Sequence, residues 1–150
     1  SHCRGTSTIK GHPEQSLENI RMNNVQIFME PEDAIDKRSS HAILIEDVRD
    51  LRIRDMKVDW DEENPEKNWQ SALVLKNVSD FEIRSFSGRQ GLIGRNTPAI
   101  LLDNISEGLI TESKAETGCK TFIGIAKAQS KNVILRNNDT RKADKGVSYQ

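Results

Sequence analysis

The feature that most constrains the fold of this chain is a short apolar segment that occurs four times along it. The four copies are His41–Val48, Ser71–Val78, Pro98–Ile105 and Thr121–Ala128. Each copy alternates apolar and variable positions, which is the period of a β-strand. The third residues of successive copies are separated by 30, 27 and 23 residues. Repeats of this period are typical of solenoid proteins, and the unequal lengths predict coils with loops of different size.

The copies agree in character column by column. The predicted inward columns are Ile43, Leu73, Ile100 and Ile123; Ile45, Leu75, Leu102 and Ile125; and Val48, Val78, Ile105 and Ala128. A second strand follows each of the first three copies, with Ile53, Ile83 and Ile110 in one column. Its fourth copy fits only with a one-residue slip, which leaves both Val133 and Ile134 as candidates for the inward position. Because Asn19–Ile27 also resembles the second strand, we predict about five coils.

Short polar residues separate the two strands of the first three copies, namely Asp47, Asn77 and Asn104. The chain must turn sharply at these positions, and Asn and Asp tolerate the left-handed backbone conformation better than other residues with a side chain. Their side chains can also bond to the neighbouring coil. We therefore predict a ladder of stacked Asn and Asp side chains, with ordinary surface turn residues as the alternative.

These patterns predict an all-β chain that folds as a right-handed parallel β-helix of about five coils over residues 1–150, as a single segment. A β-sandwich is the competing fold class, since regularly spaced short strands describe it as well. The agreement within columns favours stacked coils. The polar segment 137–146 is a candidate cover for the C-terminal end of the stack. The N-terminal end shows no comparable cover, so we expect it to meet upstream coils or another chain.

Composition excludes several classes of partner. The 22 basic and 23 acidic residues are interspersed, which argues against a nucleic-acid-binding face. No apolar run is long enough to cross a membrane. Cys3 and Cys119 have no metal-binding or redox spacing, so neither a metal nor a cofactor is predicted, and a disulfide between them stays open.

The longest polar insertion between coils, Asp59–Trp69, holds the first candidate binding residues. Trp60 and Trp69 are candidates for stacking on a sugar ring, with burial as loop anchors as the alternative. The acidic residues of this segment fit no calcium-binding pattern and are interpreted as a solvated loop.

An arginine strip is the second candidate. Arg54 and Arg84 share a column, and Arg52 and Arg89 lie near it in sequence. Arginine suits recognition of uronate carboxylates, and pairing with local acids such as Glu82 is the alternative.

Several segments together resemble the late coils of glycoside hydrolase family 28, the polygalacturonases and rhamnogalacturonases. They are Ile9–Pro13, Leu17–Ile27 and the region from Trp69–Val78 to Asn137–Asp139. The resemblance implies inverting hydrolysis of galacturonic-acid polymers by two carboxyl groups and a secreted or periplasmic location. The family's Asn-Thr-Asp, Asp-Asp and Gly-His-Gly motifs are absent here, as expected of a C-terminal portion, so no catalytic residue is predicted.

The same resemblance supplies Lys10 as a binding residue. The family carries an Arg-Ile-Lys motif near the substrate carboxylate, and this chain has Thr8-Ile9-Lys10 at the matching place. We therefore expect the C-terminal portion of a pectin-degrading hydrolase, inactive alone, with Lys10, Trp60, Trp69 and Arg89 contacting acidic plant-type polysaccharide. The alternatives are a free-standing polysaccharide-binding module and an oligomerising β-helix that docks through its N-terminal end.

Overall fold

The repeated segments stack on one another as parallel strands of a β-helix of about five turns, and no helix is present. This computed structural model describes residues 1–150. The strands are β1 (His2–Cys3), β2 (Ser7–Lys10), β3 (Leu17–Met29), β4 (Ile43–Trp60), β5 (Leu73–Gly88), β6 (Pro98–Thr111), β7 (Lys114–Ala115), β8 (Cys119–Ile125), β9 (Lys131–Arg136) and β10 (Ala143–Tyr149). Every pairing between these strands is parallel, which confirms the predicted fold class.

The long strands bend and so contribute to more than one face of the helix, β4 and β5 to three faces and β3 and β6 to two each. The first face contains β2, the beginnings of β4, β5 and β6, and then β8 and β10. The second face contains the first part of β3, the middle of β4, β5 and β6, and β9. The third face contains β1, β7 and the ends of β3, β4 and β5. Loops of unequal length leave the third face and return to the first.

The predicted columns are confirmed by the register. Ile43 pairs with Leu73, Leu73 with Ile100, and Ile100 with Ile123. On the second face Ile53, Ile83 and Ile110 form one fully buried column.

The fourth copy differs from the others in two respects. Val133 pairs with Gly108 and packs against the core, whereas Ile134 is 52% exposed, which settles the one-residue slip in favour of Val133. The prediction that Ala128 occupies an inward column is wrong. This residue is exposed in a turn after β8 because the chain leaves the strand at Ala126.

The predicted ladder is confirmed. Asn77 donates from Nδ2 to Oδ1 of Asp47 at 3.1 Å, and Asn104 donates from Nδ2 to Oδ1 of Asn77 at 2.7 Å. All three have positive φ, between 51° and 57°. Two further bends carry positive φ in the same way, at Asp50, Asp80 and Glu107 and at Asp55, Ser85 and Glu112. The polar residues thus sit where the backbone must turn.

The interior is one hydrophobic core of 29 buried residues that runs along the stack. Its two ends are less covered than its middle. Ile20, Met22 and Val25 in the first turn are only partly buried, and so is Val147 in the last. The prediction that segment 137–146 forms a polar cover is corrected in part, because its last four residues enter β10 and pair with β8 as a further strand.

Cys3 and Cys119 are both free thiols. They therefore form no disulfide, and burial raises the pKa of Cys119 to about 12. The chain contains no helix of the length and hydropathy needed to cross a bilayer.

Candidate functional site: a cleft beside Arg89

The four predicted binding residues do not come together at one place. Lys10 ends β2 on the first face, where its ammonium lies 3.5 Å from the carboxylate of Glu46. Glu46 is also 3.9 Å from Lys76 of the next coil, so Lys10 belongs to a column of alternating charges. Trp60, Trp69 and Arg89 lie instead at and beyond the third face. The structure thus separates Lys10 from the other three.

The two tryptophans are buried. Their side chains are packed with ring centroids 5.1 Å apart, and Trp60 and Trp69 are 3% and 0% exposed. The indole Nε1 of Trp60 donates to the carbonyl of Arg89 at 3.0 Å. A Cβ on Gly91 would lie 2.4 Å from Cβ of Trp69, so the next loop packs directly on this pair. Neither indole presents a face to a sugar, and anchoring of the loops is the alternative that the structure supports.

Arg89 is a buried cation directly after β5. Its side chain is 7% exposed. One guanidinium nitrogen, Nη1, donates to the carbonyls of Gln90 and Gly91 at 2.7 Å and 3.2 Å, and the other, Nη2, donates to Oε1 of Glu62 at 3.1 Å. Glu62 is its one ionic partner, and the side chain of Glu62 is 68% exposed. Since an unpaired buried charge is costly, Arg89 needs a carboxylate at this position.

Two cavities open on either side of this ion pair. One has a volume of about 150 Å³ and the other of about 210 Å³. Glu62 and Arg89 line both. The first cavity is also lined by Val58, Asp59, Trp60, Glu116 and Thr117, and the second by Asp61, Pro65, Gly91, Leu92 and Ile93. We call the two cavities together the Arg89 cleft.

The carboxylates of the cleft are balanced by cations on the third face. Asp59 lies 3.5 Å from Nζ of Lys57. Glu116 accepts a hydrogen bond from Ser87 Oγ at 2.9 Å and lies within 4 Å of Lys114 and Lys142. With Arg89, Glu62 and Asp61 counted, four cations face four carboxylates. The cleft therefore does not repel an anion as the isolated acidic loop would.

The side chain of Gln90 ties together the loops behind the cleft. It is fully buried, donates to the carbonyls of Leu92 and Gly118 at 3.0 Å and 2.8 Å, and accepts from the amide of Lys120 at 3.0 Å. These bonds fix the main chain on both sides of Arg89. The guanidinium is thus held by a rigid frame, which lowers the entropic cost of binding a ligand.

Sequence reasoning missed Glu116, Thr117 and Lys114, which complete the cleft. The register places Glu116 next to Arg89, since Gly88 pairs with Ala115. One signal was present in the sequence, because Glu116 directly follows the third short strand of its coil just as Arg89 does in its own. The sequence repeats extend only over the first two strands of each coil. They therefore do not reveal the third column, which contains Arg89 and Glu116.

The arginine strip lies on the second face. Two of its arginines pair with local acids, as the alternative interpretation predicted. Arg52 donates to Asp80 at 3.1 Å, and Arg84 lies 3.4 Å from Glu82. Arg54 stands beside Arg84 and is exposed without an ion pair. Arg89 does not belong to this strip, because it lies beyond the third face.

The chemistry that the Arg89 cleft provides is recognition of an anion with hydroxyl groups. The Nη2 group of Arg89, which now bonds Glu62, can donate a charge-assisted hydrogen bond to a ligand carboxylate. The carboxylates of Asp59 and Glu116 can accept hydrogen bonds from hydroxyls. No group of three or more His, Cys, Asp or Glu side chains is arranged to hold a metal ion. Comparison with protein-family models, with curated protein sequences and with solved structures finds no match for this chain.

Proposed function

We propose that this chain is a non-catalytic β-helix segment that binds an acidic polysaccharide of the pectin type in the Arg89 cleft. The observation that carries the proposal is Arg89 itself, a cation with a 7% exposed side chain that lines two adjoining cavities. Buried arginines that face a cavity are suited to carboxylate recognition, because the low dielectric strengthens the attraction. Galacturonic acid supplies one carboxylate and several hydroxyls on each sugar.

The size of the cleft fits a short stretch of a polymer. Each cavity is smaller than a typical pocket for a drug-sized ligand, which is about 300 Å³ or more, whereas the two cavities adjoin at Glu62 and Arg89. A chain of sugars lying along the flank would place one ring in each cavity. Lys57, Lys114 and Lys142 stand nearby and offset the charges of Asp59 and Glu116.

We further propose that the segment belongs to a longer β-helix, as the resemblance to family 28 hydrolases implies, and acts outside the cytoplasm. The partly buried Ile20, Met22 and Val25 of the first turn support this, because a further coil would cover them. In this arrangement the cleft holds the polymer while catalytic groups elsewhere act on it. The same surface favours the alternative that the segment docks on another chain, and an oligomer of defined size would support that alternative.

Binding of trigalacturonic acid to the purified chain, measured by isothermal titration calorimetry, tests the proposal. We expect Arg89→Lys to weaken binding at least about tenfold, because lysine keeps the charge but has no guanidinium that can hold the carbonyls of Gln90 and Gly91 and donate to the ligand at the same time. Arg54→Lys is the matched control, since Arg54 is exposed on the second face and forms no ion pair. Near-UV circular dichroism checks that both variants keep the native packing.

The non-catalytic part of the proposal is tested separately. Release of reducing ends from polygalacturonate and from rhamnogalacturonan, with and without calcium, should be absent. Turnover would overturn this part and would make Asp59 and Glu116 the first residues to mutate. Binding that is lost equally in the Arg89 and Arg54 variants, or is absent in the unmodified chain, would overturn the assignment of the cleft.

A further inference from the structure

Glu62 is placed to compete with a ligand for Arg89. The guanidinium of Arg89 has its Nη1 donors committed to two backbone carbonyls and its Nη2 donor to Glu62. The carbonyls belong to the adjacent Gln90 and Gly91 and cannot leave. Glu62 is therefore the one partner of this buried cation that can be exchanged.

The loop around Glu62 is fixed although its side chain is exposed. Oδ1 of Asp61 accepts hydrogen bonds from the amides of Glu63 and Asn64 at 3.0 Å and 3.1 Å. This turn holds the backbone on both sides of Glu62. The side chain of Glu62 is 68% exposed and forms no ion pair or hydrogen bond other than the one with Arg89. Rotation about its side-chain torsions thus releases Arg89 without moving the loop.

The position of Glu62 also divides the cleft. Glu62 and Arg89 are the two residues common to both cavities, of about 150 Å³ and 210 Å³. With Glu62 rotated towards solvent, the two cavities adjoin over the guanidinium. The carboxylate of a ligand would then lie where the carboxylate of Glu62 lies now.

We propose that Glu62 is a built-in competitor, whose carboxylate occupies the ligand's place on Arg89 until a uronate carboxylate displaces it. This inference rests on the proposed function of the cleft. The exchange replaces one carboxylate by another, so Arg89 is never left buried and unpaired. Its consequence is that the chain discriminates against ligands without a carboxylate, because a neutral sugar cannot compensate for the loss of Glu62.

The test compares Glu62→Gln with Glu63→Gln in calorimetric titrations with trigalacturonic acid. Both variants lose one negative charge from the same loop, and Glu63 forms no ion pair. We expect Glu62→Gln to bind about three- to fivefold more tightly than the unmodified chain, because the ligand no longer has to displace the carboxylate of Glu62, whose side chain is 68% exposed. Glu63→Gln should bind as the unmodified chain does. The methyl-esterified trisaccharide should bind weakly to all three.

Each outcome has a separate meaning. Equal affinity of all three proteins for trigalacturonic acid would overturn the role of Glu62 and leave the proposed function standing. Equal strengthening by both substitutions would reveal a general charge effect and would also overturn it. The absence of binding in all three proteins would overturn both the role of Glu62 and the function of the cleft.

Discussion

At the scale of single residues, close packing between coils decides what each position tolerates. Gly108 shows this most directly. It occupies an inward column between Phe81 and Val133, and a Cβ there would lie 2.1 Å from Cζ of Phe81. The ring of Phe81 fills the space that the missing side chain leaves, so the two residues are matched in volume.

We expect Gly108→Ala to lower the free energy of unfolding by about 1–3 kcal/mol, because the added methyl group forces the buried ring of Phe81 to move. Urea denaturation measures this. Gly5→Ala is the control, since its Cβ would meet only Ser39 Oγ at 3.8 Å. The double variant Gly108→Ala with Phe81→Leu should recover part of the loss. Equal stability of the Gly108 and Gly5 variants would contradict this account.

Burial also determines which side chains are available for chemistry. Trp60 and Trp69 are buried and so cannot stack on a sugar ring. The same loops also bury the charged side chain of Arg89. The high pKa of Cys119 has the same cause, and it leaves this thiol protonated and unreactive at neutral pH. Sequence position alone does not distinguish these residues from exposed ones in neighbouring loops.

At the scale of elements, the bends of the long strands are as important as the strands. β4 runs from Ile43 to Trp60 over 18 residues and crosses all three faces, with its pairing interrupted at the bends. It can do so because Asp47, Asp50 and Asp55 adopt positive φ. The ladder of Asp47, Asn77 and Asn104 then joins three successive coils at one bend.

Substitution of Asn77, the middle of the ladder, separates the two contributions of this bend. We expect Asn77→Ala to lower the free energy of unfolding by about 1–3 kcal/mol, because it loses two side-chain hydrogen bonds and must hold a left-handed backbone. Asn77→Gly loses the same bonds and adopts this backbone freely. It should therefore be less destabilising than Asn77→Ala in thermal or urea denaturation. A larger loss of stability in Asn77→Gly than in Asn77→Ala would show that the left-handed backbone does not account for the cost of the substitution.

At the scale of the whole molecule, the parallel stack explains both the continuous core and its incomplete ends. Each coil buries its inward side chains only against its neighbours. The middle coils are covered on both sides, whereas Ile20, Met22 and Val25 in the first turn are covered on one. This end therefore leaves apolar side chains of the first turn partly uncovered.

We expect the isolated chain to self-associate through this end. Met22→Lys should reduce association in sedimentation velocity experiments over a range of concentrations, because it places a charge on the partly buried column of the first turn. Asn23→Lys is the control, since Asn23 is exposed and lies next to Met22 in β3. Equal behaviour of the two variants would show that the end of the core is not the associating surface.

The sequence by itself determined the fold class and most of the stacking register. Each coil must place apolar residues against like residues of its neighbours, so the columns of Ile43 and Ile53 could be read from the repeats. The turn at Asp47, Asn77 and Asn104 was predictable for the same reason, since few residue types adopt a left-handed backbone. The sequence did not predict the structure where the repeat changes length, as at Ala128 and in the segment that becomes β10.

Only the tertiary structure decided the candidate site. Glu62, Arg89 and Glu116 belong to three successive coils, and their distances depend on how loops of unequal length fold over the third face. No repeat in the sequence encodes those loops. Their conformations result from packing between coils, such as that of Gly91 on Trp69, and from the buried bonds of Gln90. The stack is set by short-range periodicity, whereas the cleft is set by contacts between residues about one coil apart.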